Sequence, residues 1–218
     1  MGCELSKIGS NNKDDKNIED EKLSEPPAPA APDPRLPLTA KQKYNLLASW
    51  RGISRATQLT GINMFVKLFE EHSYLLEIFK FKELRTREEQ ARSEELAEHA
   101  NKVMSTLDEG IRGLDDLDTF FIYLHQIGSS HRRIQGFKSE YFWKVEKPFL
   151  SAVENTLGDR YTANVEGIYK ITIKFIIETL INGYENANSA NYNTQNTDIP
   201  EIKTQTNGNN DSELRSPD

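Results

Sequence analysis

Two histidines, His99 and His131, are the residues of this sequence best placed to do chemistry, because each falls on the apolar face of a predicted helix. His99 lies within a stripe of apolar residues at intervals of three and four, namely Leu96, Ala100, Val103, Met104, Leu107 and Ile111. The same spacing runs through Leu117, Phe120, Phe121, Leu124 and Ile127, and one further turn leads to His131. Both imidazoles are therefore predicted to point inward.

Two inward imidazoles on facing helices can grip a flat, metal-bearing ligand from opposite sides, which is the geometry of haem ligation. Taken singly, each histidine would more often be an ordinary packed side chain. A zinc site is disfavoured, because no two of the four histidines lie three or four residues apart and the only cysteine is Cys3. The sequence also contains neither a G-x-S-x-G elbow nor a glycine-rich phosphate loop, so hydrolase and nucleotide chemistry are not indicated.

Three helices are predicted before the one that carries His99. Thr39 and Gln42 form a capping-box pattern that opens the first of them. Ser54 is predicted to cap the second helix, and a charged segment that follows the third is predicted to be a solvated loop or a short helix. The predicted bounds are 39–53, 54–71 and 74–79 for the helices and 80–92 for the charged segment.

Two more helices are predicted beyond His131, on either side of a turn at Gly158-Asp159. The first runs over about 139–157 and contains Pro148, which is expected to kink it by removing a backbone hydrogen bond. The second is capped by Thr162 and extends to about Asn182. Its apolar residues fit strand alternation as well as a helical stripe, and a helix is preferred because about 20 residues exceed an ordinary strand.

Composition divides the 218 residues into a folded middle and two polar ends. Six of the nine prolines lie in the first 38 residues, and the segment from 188 onward is rich in asparagine, threonine, serine and glutamine. Neither end has the apolar surface needed for a core. We therefore expect a disordered tether over 1–37, one globular domain over 38–187 and a second disordered tail over 188–218.

Charge and cysteine content exclude several classes of protein. The formal net charge is −7, and its distribution gives no footprint of nucleic-acid binding. No run of 18 apolar residues is present, so a membrane-spanning helix is not expected, and no apolar signal-peptide segment lies near the start. A single cysteine excludes an intrachain disulfide and suits a reducing, cytosolic setting.

The first six residues match the M-G-x-x-x-[ST] pattern for myristoylation of Gly2 after removal of Met1. One acyl chain holds a protein at a membrane only marginally, so stable anchoring needs a second signal. The acidic tail offers no polybasic patch, which leaves a palmitoyl group on Cys3 as that signal. The alternative is a chance glycine at the terminus, since short motifs of this kind have many false positives.

The order and spacing of several motifs resemble the globin family, and most closely its neuroglobin and globin X branch. The two histidines are 131 − 99 = 32 residues apart, as in that branch, and the Met1-Gly2-Cys3 start is similar to that of the globin X group. The resemblance covers about 38–185 and implies an all-α globin fold of about seven or eight helices around a haem pocket. The motifs are Ser49-Trp50-Arg51, Phe65, Leu68-Phe69, Ile78-Phe79, Glu98-His99, Lys102-Val103, Ile127-Gly128 and His131.

The resemblance implies a role for each matching residue. His131 is expected to be the proximal ligand of the iron of haem b and His99 the distal one, while Phe79 is expected to stack on the porphyrin. Lys102 is expected either to pair with a haem propionate or to be a solvated lysine. His72 and His125 match no ligand position and are expected at the surface. The remaining expected haem contacts are Phe65, Val103, Ile127, Ile134, Phe137, Phe142 and Val145.

The function implied is that of a membrane-anchored globin, with both histidines on the iron at rest and with reversible binding of O2, CO or NO. Its expected place is the cytoplasmic face of the plasma membrane, in redox or gas signalling with an electron donor. Bulk oxygen transport fits less well, because a lipid-anchored protein is not a mobile carrier. Two alternatives stay open: a haem reductase that acts on nitrite or lipid peroxides, and a membrane-tethered helical adaptor without a cofactor.

Overall fold

The computed structural model describes residues 33–187, and within that range every regular element is helical and no strand is present. The predicted all-α class is therefore confirmed. Seven α-helices follow in chain order: α1 (Ala40–Ser54), α2 (Thr57–Glu71), α3 (Arg87–Arg92), α4 (Glu94–Arg112), α5 (Leu117–Ser130), α6 (Glu146–Leu157) and α7 (Ala163–Asn186). Four 3₁₀ helices lie between them, at Ser73–Ile78, His131–Arg133, Ser139–Val145 and Gly158–Arg160.

The expectations for the two ends of the chain fall largely outside the described residues. This applies to the acylation of Gly2 and Cys3 and to the tail over 188–218. Residues 33–37, assigned to the tether by composition, are described, and Leu36 packs against the core. Among the described helices, none is long and apolar enough to cross a bilayer.

Side-chain caps set the start of most of the long helices. The predicted capping box of α1 is confirmed, with Thr39 and Gln42 each bonding to the other's backbone N–H. The hydroxyl of Ser93 caps α4, and the carboxylate of Asp116 caps α5. The predicted cap at Ser54 is wrong, because α1 continues through that residue and its hydroxyl donates to Asp108 (3.0 Å).

Pro148 does not kink a long helix as predicted. The segment 139–157 is divided into a 3₁₀ helix and α6, and α6 begins only at Glu146. Pro148 is the third residue of α6, within the first turn, where backbone N–H groups have no intrahelical acceptor. The proline therefore removes no hydrogen bond there.

Helices α5 and α7 cross in backbone contact at two glycines. A Cβ added at Gly128 of α5 would lie 2.0 Å from the carbonyl oxygen of Leu180. A Cβ added at Gly183 of α7 would lie 2.4 Å from the Cα of His125. Only glycine allows this approach at either position. Because His131 directly follows α5, the crossing also fixes where that histidine lies.

We expect Gly128→Ala and Gly183→Ala each to lower the free energy of unfolding by about 1–3 kcal/mol or more, because an overpacked contact against backbone cannot be relieved by a side-chain rotation. Gly167→Ala is the matched control, since a Cβ at this position of α7 meets nothing within 4 Å. It should raise the unfolding free energy by about 0.5–1 kcal/mol. Denaturant unfolding measures the free energy for all three variants. Similar destabilisation by all of them would contradict the close backbone approach of α5 and α7.

A hydrogen-bonded carboxylate joins α1 to α4, the helix that carries His99. The indole of Trp50 donates to Asp108 (2.7 Å), and Nε of Arg112 donates to the other carboxylate oxygen (2.7 Å). Burial raises the pKa of Asp108, but the hydrogen bonds from Arg112, Trp50 and Ser54 together lower it below its usual value. The folded state therefore favours the charged carboxylate.

Asp108→Asn should lower the unfolding free energy by about 1.5–3 kcal/mol at pH 7, because it removes hydrogen bonds to a charged acceptor. A depressed carboxyl pKa contributes stability above the unfolded value of 3.8, and that stability is lost as pH falls through the folded pKa. The difference between wild type and variant should therefore narrow below about pH 4. Unfolding curves recorded from pH 7 to pH 3 test this, and a constant difference would contradict it.

A second close crossing sets the position of His99. A Cβ added at Gly61 of α2 would lie 2.8 Å from Cγ of Met104 and 3.1 Å from Cβ of Ala100, both on α4. One turn after Gly61, Phe65 reaches the ring of His99. The crossing of α2 and α4 thus brings an aromatic side chain against His99.

Candidate functional site

Both histidines line one cavity between α2, α4, α5, α7 and the 3₁₀ helix Ser139–Val145. Among residues 33–187, the polar side chains that line it besides the two imidazoles are Thr106 and Tyr141. The apolar lining consists of Phe65, Leu68, Leu75, Ile78, Phe79, Val103, Leu107, Ile127, Phe137, Phe142, Val145, Ile173, Ile176, Ile177 and Leu180. The cavity therefore suits a large apolar ligand that carries a group to which an imidazole nitrogen can bind.

Aromatic rings surround His99. The centroids of Phe65 and Phe79 lie 5.0 and 5.1 Å from that of the imidazole, both in edge-to-face orientation, and Phe81 lies behind at 6.5 Å. Burial among these rings lowers the pKa of His99 to about 4, and the positive charge of Lys102, together with the charge that His131 carries when it is protonated, acts in the same direction. His99 is therefore a neutral imidazole at pH 7.

A backbone hydrogen bond fixes the orientation of His131. This residue is the C-cap of α5, and its Nδ1 lies 2.8 Å from the carbonyl oxygen of Ile127. A carbonyl only accepts, so Nδ1 carries the proton and Nε2 keeps its lone pair. Burial lowers the pKa of His131 more than this bond raises it, so the ring is neutral. Phe137 and Phe142 pack against it, each with a centroid separation of 4.9 Å.

This arrangement fits a haem. Iron binds neutral imidazole nitrogen, and a metal-ligating histidine commonly donates its other ring N–H to a backbone carbonyl, as His131 does. The apolar lining matches the hydrocarbon surface of a porphyrin. Elsewhere among residues 33–187, no group of three or more histidine, cysteine, aspartate or glutamate side chains is placed to hold a metal ion.

Most of the expected haem contacts line the cavity: Phe65, Phe79, Val103, Ile127, Phe137, Phe142 and Val145. Two of the named residues do not. The side chain of Ile134 is 38% exposed and lies outside the cavity, because the chain turns outward in the 3₁₀ helix that follows α5. Lys102 is exposed beside the cavity, where its charge acts on His99.

The other two histidines lie outside the cavity, but they are half-buried and not at the open surface that we expected. His72 ends α2, and its ring packs against Tyr74 with a centroid separation of 5.8 Å. His125 lies at the α5–α7 crossing, where its backbone contacts Gly183, and burial lowers its pKa.

Sequence reasoning missed two parts of the site. Four α7 side chains line the cavity at helical spacing, namely Ile173, Ile176, Ile177 and Leu180. This part of the sequence fits strand and helix patterns equally well, so the cavity-facing stripe was not singled out. Phe81 was also missed, because it lies in a charged segment, although it stacks on Phe79 at 4.9 Å.

Comparisons with known proteins agree with this geometry. The globin family model matches residues 62–180, more than half of the chain. Neuroglobins of Danio rerio and Dissostichus mawsoni are 27% and 26% identical over 148 residues, which cover 67% of this chain and 92% of each relative. A crystal structure of a hexacoordinated heme protein from an anhydrobiotic tardigrade superposes with a TM-score of 0.68. That protein is 34% identical, and the match covers 70% of this chain and 99% of the other.

The chain belongs to the globin family. The predicted globin fold and the likeness to neuroglobins are therefore confirmed. Globins hold haem through a proximal histidine, so haem is the cofactor that this cavity binds.

Two isoleucines, one inside the cavity and one outside it, offer a matched test of the lining. Ile127→Asn should speed the loss of haem to an acceptor protein several-fold, because an amide placed in the apolar lining lacks a hydrogen-bond partner. Ile134→Asn should retain haem as wild type does, since that side chain lies outside the cavity. Absorbance changes during haem transfer measure both rates. Equal rates for the two variants would contradict the assignment.

Proposed function

We propose that this globin binds haem b with His99 and His131 both on the iron at rest, and that it binds O2, CO or NO reversibly in redox or gas signalling at a membrane. The observation that carries the proposal is the pair of neutral histidines that line one apolar cavity from α4 and from the end of α5. The likeness of this chain to a hexacoordinated heme protein also supports ligation of the iron by both histidines. When bound, the haem would supply an iron that takes nitrogen ligands and diatomic gases.

The two histidines are held differently, and we infer their roles from this difference. The hydrogen bond from Nδ1 to Ile127 restricts rotation of the His131 ring, so this residue is the permanent ligand. The ring of His99 is packed against the carbons of Phe65, Phe79 and Phe81. Among the described residues, none forms a hydrogen bond with this ring, so His99 would be the ligand that moves aside for a gas.

His99→Leu should convert the ferrous protein from low-spin to high-spin and speed the binding of CO, because the sixth position is then open. His131→Leu should instead weaken haem retention, because the fixed ligand is lost. His72→Leu is the matched control, since His72 lies outside the cavity, and it should change neither property. Visible absorption spectra and flash photolysis with CO provide the measurements. If His99→Leu leaves the ferrous spectrum unchanged, His99 is not a ligand.

The membrane part of the proposal depends on Gly2 and Cys3, which lie outside the described residues. The pattern Met1-Gly2-Cys3-Glu4-Leu5-Ser6 supports a myristoyl group on Gly2 and a palmitoyl group on Cys3. Two acyl chains suffice for stable anchoring, whereas one does not. We infer that the globin works at the cytoplasmic face of the plasma membrane.

Gly2→Ala should release the protein into the soluble fraction of cells, and Cys3→Ser should leave it weakly and reversibly bound. Neither change should alter the absorption spectrum, because the haem site is formed within residues 33–187. Fractionation of cells that express each variant tests this. Wild-type protein found wholly in the soluble fraction would rule out the anchor.

A further inference from the structure

The outward face of α1 carries one stripe of exposed residues. Lys41, Tyr44, Ala48, Arg51 and Arg55 follow one another at intervals of three and four, the last as the C-cap of the helix. All five are exposed, and Tyr44 is 72% exposed. The opposite face of α1 carries Leu46, Trp50 and Ile53, which are buried in the core. We call these five exposed residues the α1 stripe.

This part of the chain is strongly basic, although the whole chain carries a net charge of −7. Residues 34–69 contain six lysines and arginines and not one aspartate or glutamate. The positive charge on α1 is therefore not balanced by acids of the same helix.

Ion pairs account for three of these six bases. Arg35 pairs with Asp118 (2.7 Å), Lys43 pairs with Asp115, and Lys67 lies 3.5 Å from Glu71. The other three bases are Lys41, Arg51 and Arg55, and within residues 33–187 none of them forms an ion pair. The unpaired bases are thus the three that lie on the α1 stripe.

We propose that the α1 stripe docks on the anionic headgroups of a lipid bilayer. The proposal rests on the proposed function, which places the chain at a membrane through its N-terminus. A helix that lies flat on the surface brings all three bases within reach of headgroups, over a length of about 21 Å. Tyr44 lies between them, and tyrosine is a side chain enriched at membrane–water interfaces.

The chemistry of the stripe fits lipid better than a folded protein partner. The core of a protein–protein interface is depleted of lysine and rich in packed apolar and aromatic groups. The α1 stripe offers instead three long cationic side chains around a single exposed aromatic ring. Lysine and arginine are attracted to anionic headgroups and tyrosine is enriched at the membrane–water interface, so the composition of the stripe suits the surface of an anionic membrane.

Co-sedimentation of the unacylated, haem-loaded full chain with vesicles tests the proposal. Vesicles of phosphatidylcholine containing phosphatidylserine should bind the wild type far better than phosphatidylcholine alone. The triple variant Lys41→Glu, Arg51→Glu, Arg55→Glu should bind about a hundredfold more weakly. The control triple Lys82→Glu, Arg92→Glu, Lys147→Glu makes the same change in net charge at exposed bases elsewhere and should bind as wild type does. If the first triple variant misfolds by its absorption or circular dichroism spectrum, glutamine at the same three positions replaces it.

Two outcomes would overturn the proposal. Equal loss of binding by both triple variants would mean that net charge, and not the stripe, governs attachment. Binding of the wild type to poly-glutamate but not to phosphatidylserine vesicles would assign the stripe to an acidic protein segment, this chain's own included. The protein in this experiment carries no acyl groups, so the result does not depend on acylation of Gly2 and Cys3. Whether those two residues anchor the protein is tested separately by the cell fractionation.

Discussion

The contact of α5 with α7 through Gly128 and Gly183 is the constraint on which the haem site depends. It brings two helix backbones closer than any residue with a Cβ would allow. α7 then supplies one wall of the cavity, and the end of α5 delivers His131 to it. On the other side of the cavity, α2 and α4 cross at Gly61, where the helix packs against side chains of α4 and Phe65 contacts His99. The cavity is thus defined by two close helix contacts.

Within this frame, the two histidines differ in what holds them. The ring of His131 is bonded to the backbone of its own helix, whereas His99 is confined by aromatic rings. Burial favours the neutral form of both, and a neutral imidazole is the form that binds iron. A fixed ligand and a displaceable one are what a globin needs if both histidines occupy the iron at rest and one must yield to a gas.

How far the sequence predicts this protein depends on the range of each signal. The capping box at Thr39 and the apolar stripe around His99 are local patterns, and both appear as predicted. The effect of Pro148 depends on where α6 starts, which the preceding 3₁₀ helix decides. Ile134 is exposed because of the direction that the chain takes after α5. Phe81 belongs to the surroundings of the site because its ring stacks on Phe79. The α1 stripe likewise becomes visible only when the ion pairs of neighbouring bases are known.

The most direct test of the account is whether two histidine nitrogens bind the iron. Electron–nuclear double resonance on the ferric 218-residue chain, labelled with ¹⁵N only at histidine, detects each coordinated nitrogen by its coupling to the unpaired electron. The account predicts two coordinated imidazole nitrogens in the wild type and one fewer in His99→Leu. A single coordinated histidine in the wild type, with water as the other ligand, would contradict it.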